Sequence, residues 1–260
     1  MTDWYWQTWQ GQGFLTCDLL RPWPHGFFTR RFWPQAPEAL TAALASNAGV
    51  KRVKQVHGNR VLAAADLPNS DQPRAEADGL LSDRAHQALW VCSADCSPVL
   101  IGDRATGRVS AVHAGWRGTA QAIVPLAVDK LQAQGSRLED LVVAIGPAIA
   151  GEVYQVSADV AAAVGRSLGI DGAGDDESVI AALLQRGDSA LLRDDTPGKV
   201  RLDVRRVNAM QLEQLGLDRD QVAIAPHCTF QEPEWFFSYR RTGEKQVQWS
   251  GIVSQDAAAF

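Results

Sequence analysis

Residues 90–117 read WVCSADCSPVLIGDRATGRVSAVHAGWR, and the reading of this stretch decides the fold. Three short apolar runs, ALWVCSA, PVLIGD and RVSAVHAG, are separated by turn formers, with Thr106-Gly107 between the second and third. That pattern predicts three strands that are neighbours in one sheet. Cys96 and His113 each close such a run and are followed by small residues. The layout delivers two soft ligands to one rim.

A third donor, His57, ends another strand-like run, VKRVKQVHG. One thiolate and two imidazoles without an obvious fourth protein ligand are the makings of an open, catalytic metal site, because structural zinc sites use four protein ligands and close cysteine pairs. Each donor also has a plainer reading. A buried cysteine usually only packs, and that reading is kept for Cys92. Cys96 differs in lying between Asp95 and Ser97-Pro98, a polar break between two apolar runs. His113 sits in AVHAGWRG, where alanine and glycine leave room for a ligand, and its alternative is a core histidine bonded to a carbonyl. For His57 the alternative is a turn histidine.

Arginine is the second theme. Arg30, Arg31, Arg117, Arg240 and Arg241 stand at apparent strand ends, and two or three of them converging would make a fork for phosphate or carboxylate. Asp78 and Asp95 are placed to orient a histidine ligand or to move a proton, with a turn cap as the plainer role.

Outward from this centre the chain reads as mixed α and β with much antiparallel pairing. A hairpin is expected over residues 3–20 around Gly11-Gln12-Gly13, a short strand in GFFTRR, a helix from Pro37 to Asn47, and a surface loop over 66–77. A helix capped by Thr119 and ended by Gly135 follows, with Pro125 kinking it or marking a late start. LVVAIGP is a buried strand, Ser157 caps a helix to Leu168, and 169–177 is expected to be mobile. A helix over 179–185, a strand in VRLDV and a helix closed by Gly216 come next. VAIAPHC and FFSYRR read as late strands, and Thr242-Gly243 turns the chain into KQVQWSGIV. No G-x-G-x-x-G follows any strand, so a doubly wound nucleotide fold is not indicated.

The 260 residues, 46% of them hydrophobic, suffice for one domain spanning 1–260. A net charge of −5 argues against bulk attraction to nucleic acid or anionic membrane and favours a small-molecule substrate. Four cysteines (Cys17, Cys92, Cys96, Cys228) without close spacing read as cytosolic thiols. Neither a secretory signal nor a membrane span of about 20 apolar residues is apparent. The expectation is a soluble, cytoplasmic monomer or homodimer.

The motifs KQVHGNRV, ADGLLSD, SADCSPVLIGD, AVHAGWRGTAQAIV, AIGPAI followed by YQV, RLDV with Asn208, and CT with FFSYRR occur in this order between about His25 and Ile252. Together they resemble the YfiH family, also called laccase-domain or polyphenol oxidase-like proteins and peptidoglycan editing factors. The resemblance implies an α+β fold, a four-layer αββα sandwich of mixed, largely antiparallel sheets. It implies a zinc-dependent enzyme acting on purine nucleosides and phosphate: phosphorolysis of adenosine, inosine, guanosine and S-methyl-5'-thioadenosine, and deamination of adenosine. The family's metal ligands fall on His57, Cys96 and His113, with copper as the alternative metal.

Cys96, Asp95 and Arg117 are the expected catalytic residues, with Asp95 moving the proton in deamination. Arg30, Arg117, Arg240 and Arg241 are the phosphate candidates. The sequence departs from its relatives after FFTRR, where RFWPQAP replaces a Gly-Gly-Val-Ser stretch, and at TGEKQVQW, which lacks the usual Thr-Gly-Arg. Three rival classes stand beside this one. They are a cysteine hydrolase or amidase acting in peptidoglycan editing with Cys96 as nucleophile, a copper oxidase, for which five histidines are few, and an interaction module braced by zinc.

Overall fold

Two six-stranded sheets face one another. The first contains β1 (Trp4–Trp9), β2 (Gln12–Cys17), β3 (His25–Phe28), β4 (Gly49–Lys51), β7 (Gln87–Ser93) and β15 (Gln248–Val253), in the order β1-β2-β3-β15-β7-β4. The second contains β5 (Val61–Ala63), β6 (Gly79–Leu81), β8 (Ser97–Asp103), β9 (Val109–Ala114), β10 (Leu141–Ile145) and β14 (Val222–Ile224), in the order β14-β10-β8-β9-β6-β5. Pairing is antiparallel except for β4 with β7, β5 with β6 and β10 with β14. This computed structural model describes residues 4–69, 72–170, 174–186 and 190–257.

Strand periodicity sorts the side chains into layers. Leu89 and Val91 of β7, Leu100 of β8, Val109 and Ala111 of β9, and Val142 and Ala144 of β10 share the core between the sheets. Ala88 and Trp90 point the other way, toward Phe14, Phe28, Phe32 and Leu40 of α1 (Pro37–Leu44). Val99, Ile101, Val112 and Val143 face the opposite outer layer, α3 (Ile123–Ala133) and α6 (Val204–Leu215). The result is the α+β, four-layer αββα arrangement that the resemblance implies. On its flank, a three-stranded sheet of β11 (Gln155–Ser157), β12 (Leu191–Arg193) and β13 (Lys199–Leu202) packs with α4 (Ala158–Arg166) and α5 (Asp176–Gln185) around a smaller core.

Local signals held where the chemistry is local. The hairpin forms as expected but turns at Gln10-Gly11, with φ of 49° and 75°, so that Gln12 and Gly13 already belong to β2; this is the two-residue geometry whose twist matches its strands. Gly216 at φ 103° closes α6 as expected, whereas Asp203, expected within the VRLDV strand, instead starts the helix, its carboxylate accepting the Arg205 and Arg206 N–H groups.

Other expectations are corrected. β7 is not a neighbour of β8 and β9: it joins the first sheet, while β8 and β9 form a hairpin in the second. These strands are apolar on both faces, so their pattern does not say which sheet each enters. VKRVKQVHG is strand only to Lys51, and His57 lies in a turn at φ 61°. Thr119 is not a helix cap. It lies buried in the short α2 (Trp116–Ala120) and donates to Asn208 Oδ1; the helix breaks at Ala122 and restarts as α3, with Pro125 in its first turn, as a late start requires. Ser157 holds the N-cap position of α4 without a side-chain cap bond. FFSYRR is not a strand: Gln248's side chain pairs with both the N–H and C=O of Phe237, and Ser238 caps the short helix α7 (Tyr239–Thr242), which Gly243 ends. Of the loop expected over 66–77, residues 70 and 71 lie outside the described residues, as do 171–173 of the stretch expected to be mobile; in the latter, Asp175 caps α5. Among the described residues no helix is long and apolar enough to cross a membrane.

One buried group gives the fold a pH dependence. His25 Nδ1–H donates to the Trp23 carbonyl, and Nε2 accepts the Cys17 N–H, each at 2.8 Å. Burial outweighs these bonds and lowers the imidazole pKa to about 4. The unfolded chain therefore takes up this proton first as pH falls, so stability is full above the ordinary histidine pKa of about 6.5 and is lost as pH drops toward 4. Between about pH 7 and about pH 4.5 the His25 contribution should fall by roughly 2–3 kcal/mol. Urea unfolding at both pH values, compared with His25→Gln, isolates it. An equal pH dependence in the variant would refute the assignment.

Candidate metal centre

The centre forms where the β8–β9 hairpin opens. His113 follows Val109 and Ala111 at strand period, and the pairing of Ser97 with Ala114 brings Cys96 beside Gly115. A Cβ built on Gly115 would lie 2.8 Å from Cys96 Sγ and 3.5 Å from His57 Cδ2. The sulfur occupies the space a side chain would need there.

His57 arrives from the other direction, and a single carboxylate places both imidazoles. Fully buried Asp78 accepts the N–H groups of Val56 (3.2 Å), His57 (2.9 Å) and Gly58 (2.8 Å), and its Oδ1 lies 2.9 Å from His113 Nδ1. The turn carrying His57 and the ring of His113 are thus oriented by one group, which leaves His113 Nε2 to face inward. The two rings meet edge-on, with centroids 4.8 Å apart and planes at 83°. One ligand atom from each of His57, Cys96 and His113 lies within 4.8 Å of the others, a group able to hold a metal ion.

The electrostatics suit a cation. Burial would raise the Cys96 thiol, but the charge of His113 and hydrogen bonds from both histidines outweigh it and bring the pKa down to about 6. Burial would lower His113, but the Cys96 thiolate and Asp78 raise it to about 9. Asp78 itself is held below the usual carboxylate range because its hydrogen bonds and the His113 charge prevail over burial. A thiolate and two imidazoles, one fixed by a carboxylate on its far nitrogen, fit zinc by donor chemistry. Replacing Gly115 by Ala should push the sulfur aside and weaken zinc binding by about tenfold or more. Competition with a chromogenic chelator measures this, and unchanged affinity would show that the close approach is immaterial.

The arginines divide into two groups. The Arg117 guanidinium stacks 4.5 Å above Trp116, and that of Arg240 lies 4.8 Å above the ring of Tyr154; both residues are exposed. Arg240 also donates to the Gln155 carbonyl. Arg241, by contrast, donates to the carbonyls of Thr229, Phe230 and Phe236. Arg30 donates to the Pro233 carbonyl and lies over Phe237, and Arg31 lies over Trp235. These three hold the segment around 229–237.

Asp95 lies buried beside the centre, its Oδ1 accepting the Thr229 hydroxyl and its Oδ2 the Arg240 N–H, both at 2.7 Å. Reasoning from sequence had not singled out Tyr154 or Thr229. The only signals were their places in the YQV and CT motifs. Burial raises the Tyr154 phenol to about 12, Cys96 and Asp95 add to this, and Arg240 and Arg117 oppose it. The phenol therefore keeps its proton within electrostatic reach of all four groups.

Fold and site together define an α+β sandwich protein with a candidate three-donor metal centre where its second sheet meets the loop from its first. The chain belongs to the YfiH or laccase-domain family, whose model, described as multi-copper polyphenol oxidoreductase laccase, matches residues 35–254. A Synechocystis protein named as a purine nucleoside phosphorylase is 53% identical over 96% of this chain and 97% of its own length. A Mycobacterium tuberculosis protein of the same name is 34% identical over 80% of this chain and 75% of its own. Among solved structures, that of YlmD from Geobacillus stearothermophilus matches with a TM-score of 0.78 at 25% identity, covering 96% of this chain and 99% of that one. YfiH from Bacillus licheniformis matches with a TM-score of 0.73 at 25% identity, covering 94% of this chain and 96% of that one.

Proposed function

We propose that this protein is a zinc-dependent purine nucleoside phosphorylase acting on adenosine, inosine, guanosine and S-methyl-5'-thioadenosine, which also deaminates adenosine to inosine. The observation that carries the reading is the convergence of His57, Cys96 and His113 in a chain 53% identical to a protein bearing the phosphorylase name. Zinc held by these residues would supply a Lewis acid with a position left for substrate.

The remaining work falls to the chain itself. In phosphorolysis a phosphate oxygen bonds to the anomeric carbon, the bond from that carbon to the purine nitrogen breaks, and the base leaves with the electron pair and gains a proton. Arg117 and Arg240, both exposed and stacked on aromatic rings, are our phosphate contacts, since guanidinium binds phosphate with two parallel donors. Arg30 and Arg241 support the loop beside them. Tyr154, protonated at neutral pH, donates a hydrogen bond to substrate. In deamination water adds at C6 of adenine and ammonia leaves. The Asp95 carboxylate, the expected acid of this step, accepts one hydrogen bond on each oxygen, from the Thr229 hydroxyl and from the Arg240 N–H.

The test incubates zinc-loaded and metal-stripped protein with adenosine, with and without phosphate. Adenine plus ribose 1-phosphate is expected only with phosphate and metal, and inosine with metal in either case. Neither product under any metal loading would overturn the reading.

One observation favours a second reading. Asp78, His113 and Cys96 also have the order of an orienting carboxylate, a base and a thiol nucleophile, as in a cysteine hydrolase. Full hydrolytic activity toward an amide substrate in metal-stripped protein would favour it.

A further inference from the structure

Asp95 has an unusual combination of constraints. It is buried, sits one residue before Cys96, and holds φ at 92°, a backbone region that costs a residue with a Cβ energy unless the surroundings impose it. Three separate segments impose it. The Asp95 carbonyl accepts the Ile149 N–H at 3.0 Å, its Oδ1 accepts the Thr229 hydroxyl, and its Oδ2 accepts the N–H of Arg240. Arg240 in turn lies over Tyr154 and donates to the Gln155 carbonyl. One carboxylate therefore joins the turn that presents the Cys96 sulfur to the helix start that presents the Arg240 guanidinium.

We infer that Asp95 is a positioning residue and not the proton donor: its carboxylate is a clasp that fixes the distance between the metal-ligating thiolate and the phosphate-binding arginine. The inference rests on the proposed phosphorylase reading only for the role of Arg240. Its structural half, the placing of Cys96, stands apart. A carboxylate with each oxygen already accepting from the protein, one from a hydroxyl and one from a backbone N–H, is placed to hold its neighbours.

Three substitutions separate clasp from acid. Asp95→Asn keeps the clasp, because the amide oxygen can accept the Arg240 N–H while the amide nitrogen donates to Thr229 Oγ1, but it cannot donate or accept a proton in catalysis. Asp95→Gly removes the carboxylate without strain, since glycine adopts positive φ freely. Thr229→Val removes one of the two carboxylate bonds and leaves the acid intact. Three readouts are needed: kcat and KM for inorganic phosphate and kcat for adenosine deamination, both with the zinc-loaded protein, and the affinity for Co²⁺ alone, read from its thiolate charge-transfer absorption.

For Asp95→Asn all three readouts, deamination included, should stay within about threefold of the unmodified chain, and Thr229→Val should raise the phosphate KM by about threefold, on the scale of a single hydrogen bond. Asp95→Gly should raise the phosphate KM and weaken Co²⁺ binding by about tenfold or more each, as loss of an outer support does. If Asp95→Gly fails to fold, as judged by circular dichroism, Asp95→Asn and Thr229→Val carry the test. The inference is overturned if Asp95→Asn loses deamination kcat by about a hundredfold with an unchanged phosphate KM, the signature of proton transfer. It is equally overturned if folded Asp95→Gly binds Co²⁺ as the unmodified chain does. Should the unmodified chain lack phosphorolysis, the functional reading fails, and the Co²⁺ comparison still decides the clasp.

Discussion

Cys96→Ser should abolish phosphorolysis while leaving the fold standing. Serine is close in size but stays un-ionised at neutral pH, so the centre loses its one anionic donor and the partner that holds His113 charged. Zinc affinity should fall at least a hundredfold and turnover by about 10²–10³-fold or more, the scale on which one group stabilising transition-state charge acts. Stability of the metal-free protein should drop by less than about 2 kcal/mol, because the two large cores on either face of the second sheet do not depend on the sulfur. Zinc content after dialysis, adenosine turnover with phosphate, and urea unfolding of the metal-free form measure the three effects. If the variant unfolds outright, the metal braces the fold and the interaction-module reading gains. If it keeps its turnover, neither the metal nor the thiol reading survives.

Asp78→Asn should do the opposite and damage fold and site together. The carboxylate sits fully buried under four hydrogen bonds, two on each oxygen: His57 N–H and His113 Nδ1–H on one, Val56 N–H and Gly58 N–H on the other. An asparagine turns one oxygen into a donor facing two donors, so two bonds are lost and the amide is left unsatisfied whichever way it flips. The expected cost is roughly 3–4 kcal/mol of stability. Zinc binding should also weaken by about 10–100-fold, since both imidazoles lose their orientation. Urea unfolding and chelator competition report the two losses. A variant equal to the unmodified chain in both would mean that the turn at His57 is held by something other than this carboxylate.

The two substitutions separate what a ligand does from what its support does. Cys96 offers its sulfur to the candidate metal centre, and its removal is expected to leave a packed protein. Asp78 satisfies three backbone N–H groups as well as an imidazole, so its removal is felt in the fold first. The clasp at Asp95 lies between these extremes, supporting the site without carrying a core.

Much of this was present in the linear chain, and for a consistent reason. The hairpin near Gly11, the Gly216 end of α6 and the glycine after Thr242 are decided by sterics and hydrogen bonds within a few residues. The donor set was also readable, because Cys96 and His113 interrupt apolar runs where packing alone has no use for them. Their meeting follows from the pairing of β8 with β9 as adjacent strands.

What the chain by itself determined, then, is the local geometry and the kinds of donor available: a thiol, two imidazoles, and guanidinium groups near the same motifs. The tertiary structure alone decided that β7 crosses to the other sheet at Asp95, that FFSYRR becomes a helix start, and that Arg241 is committed to three carbonyls while Arg240 lies exposed over Tyr154. The physical reason is competition between distant groups. A strand apolar on both faces does not specify its neighbour, and a polar side chain takes its role from whichever unsatisfied N–H or C=O the rest of the fold brings to it.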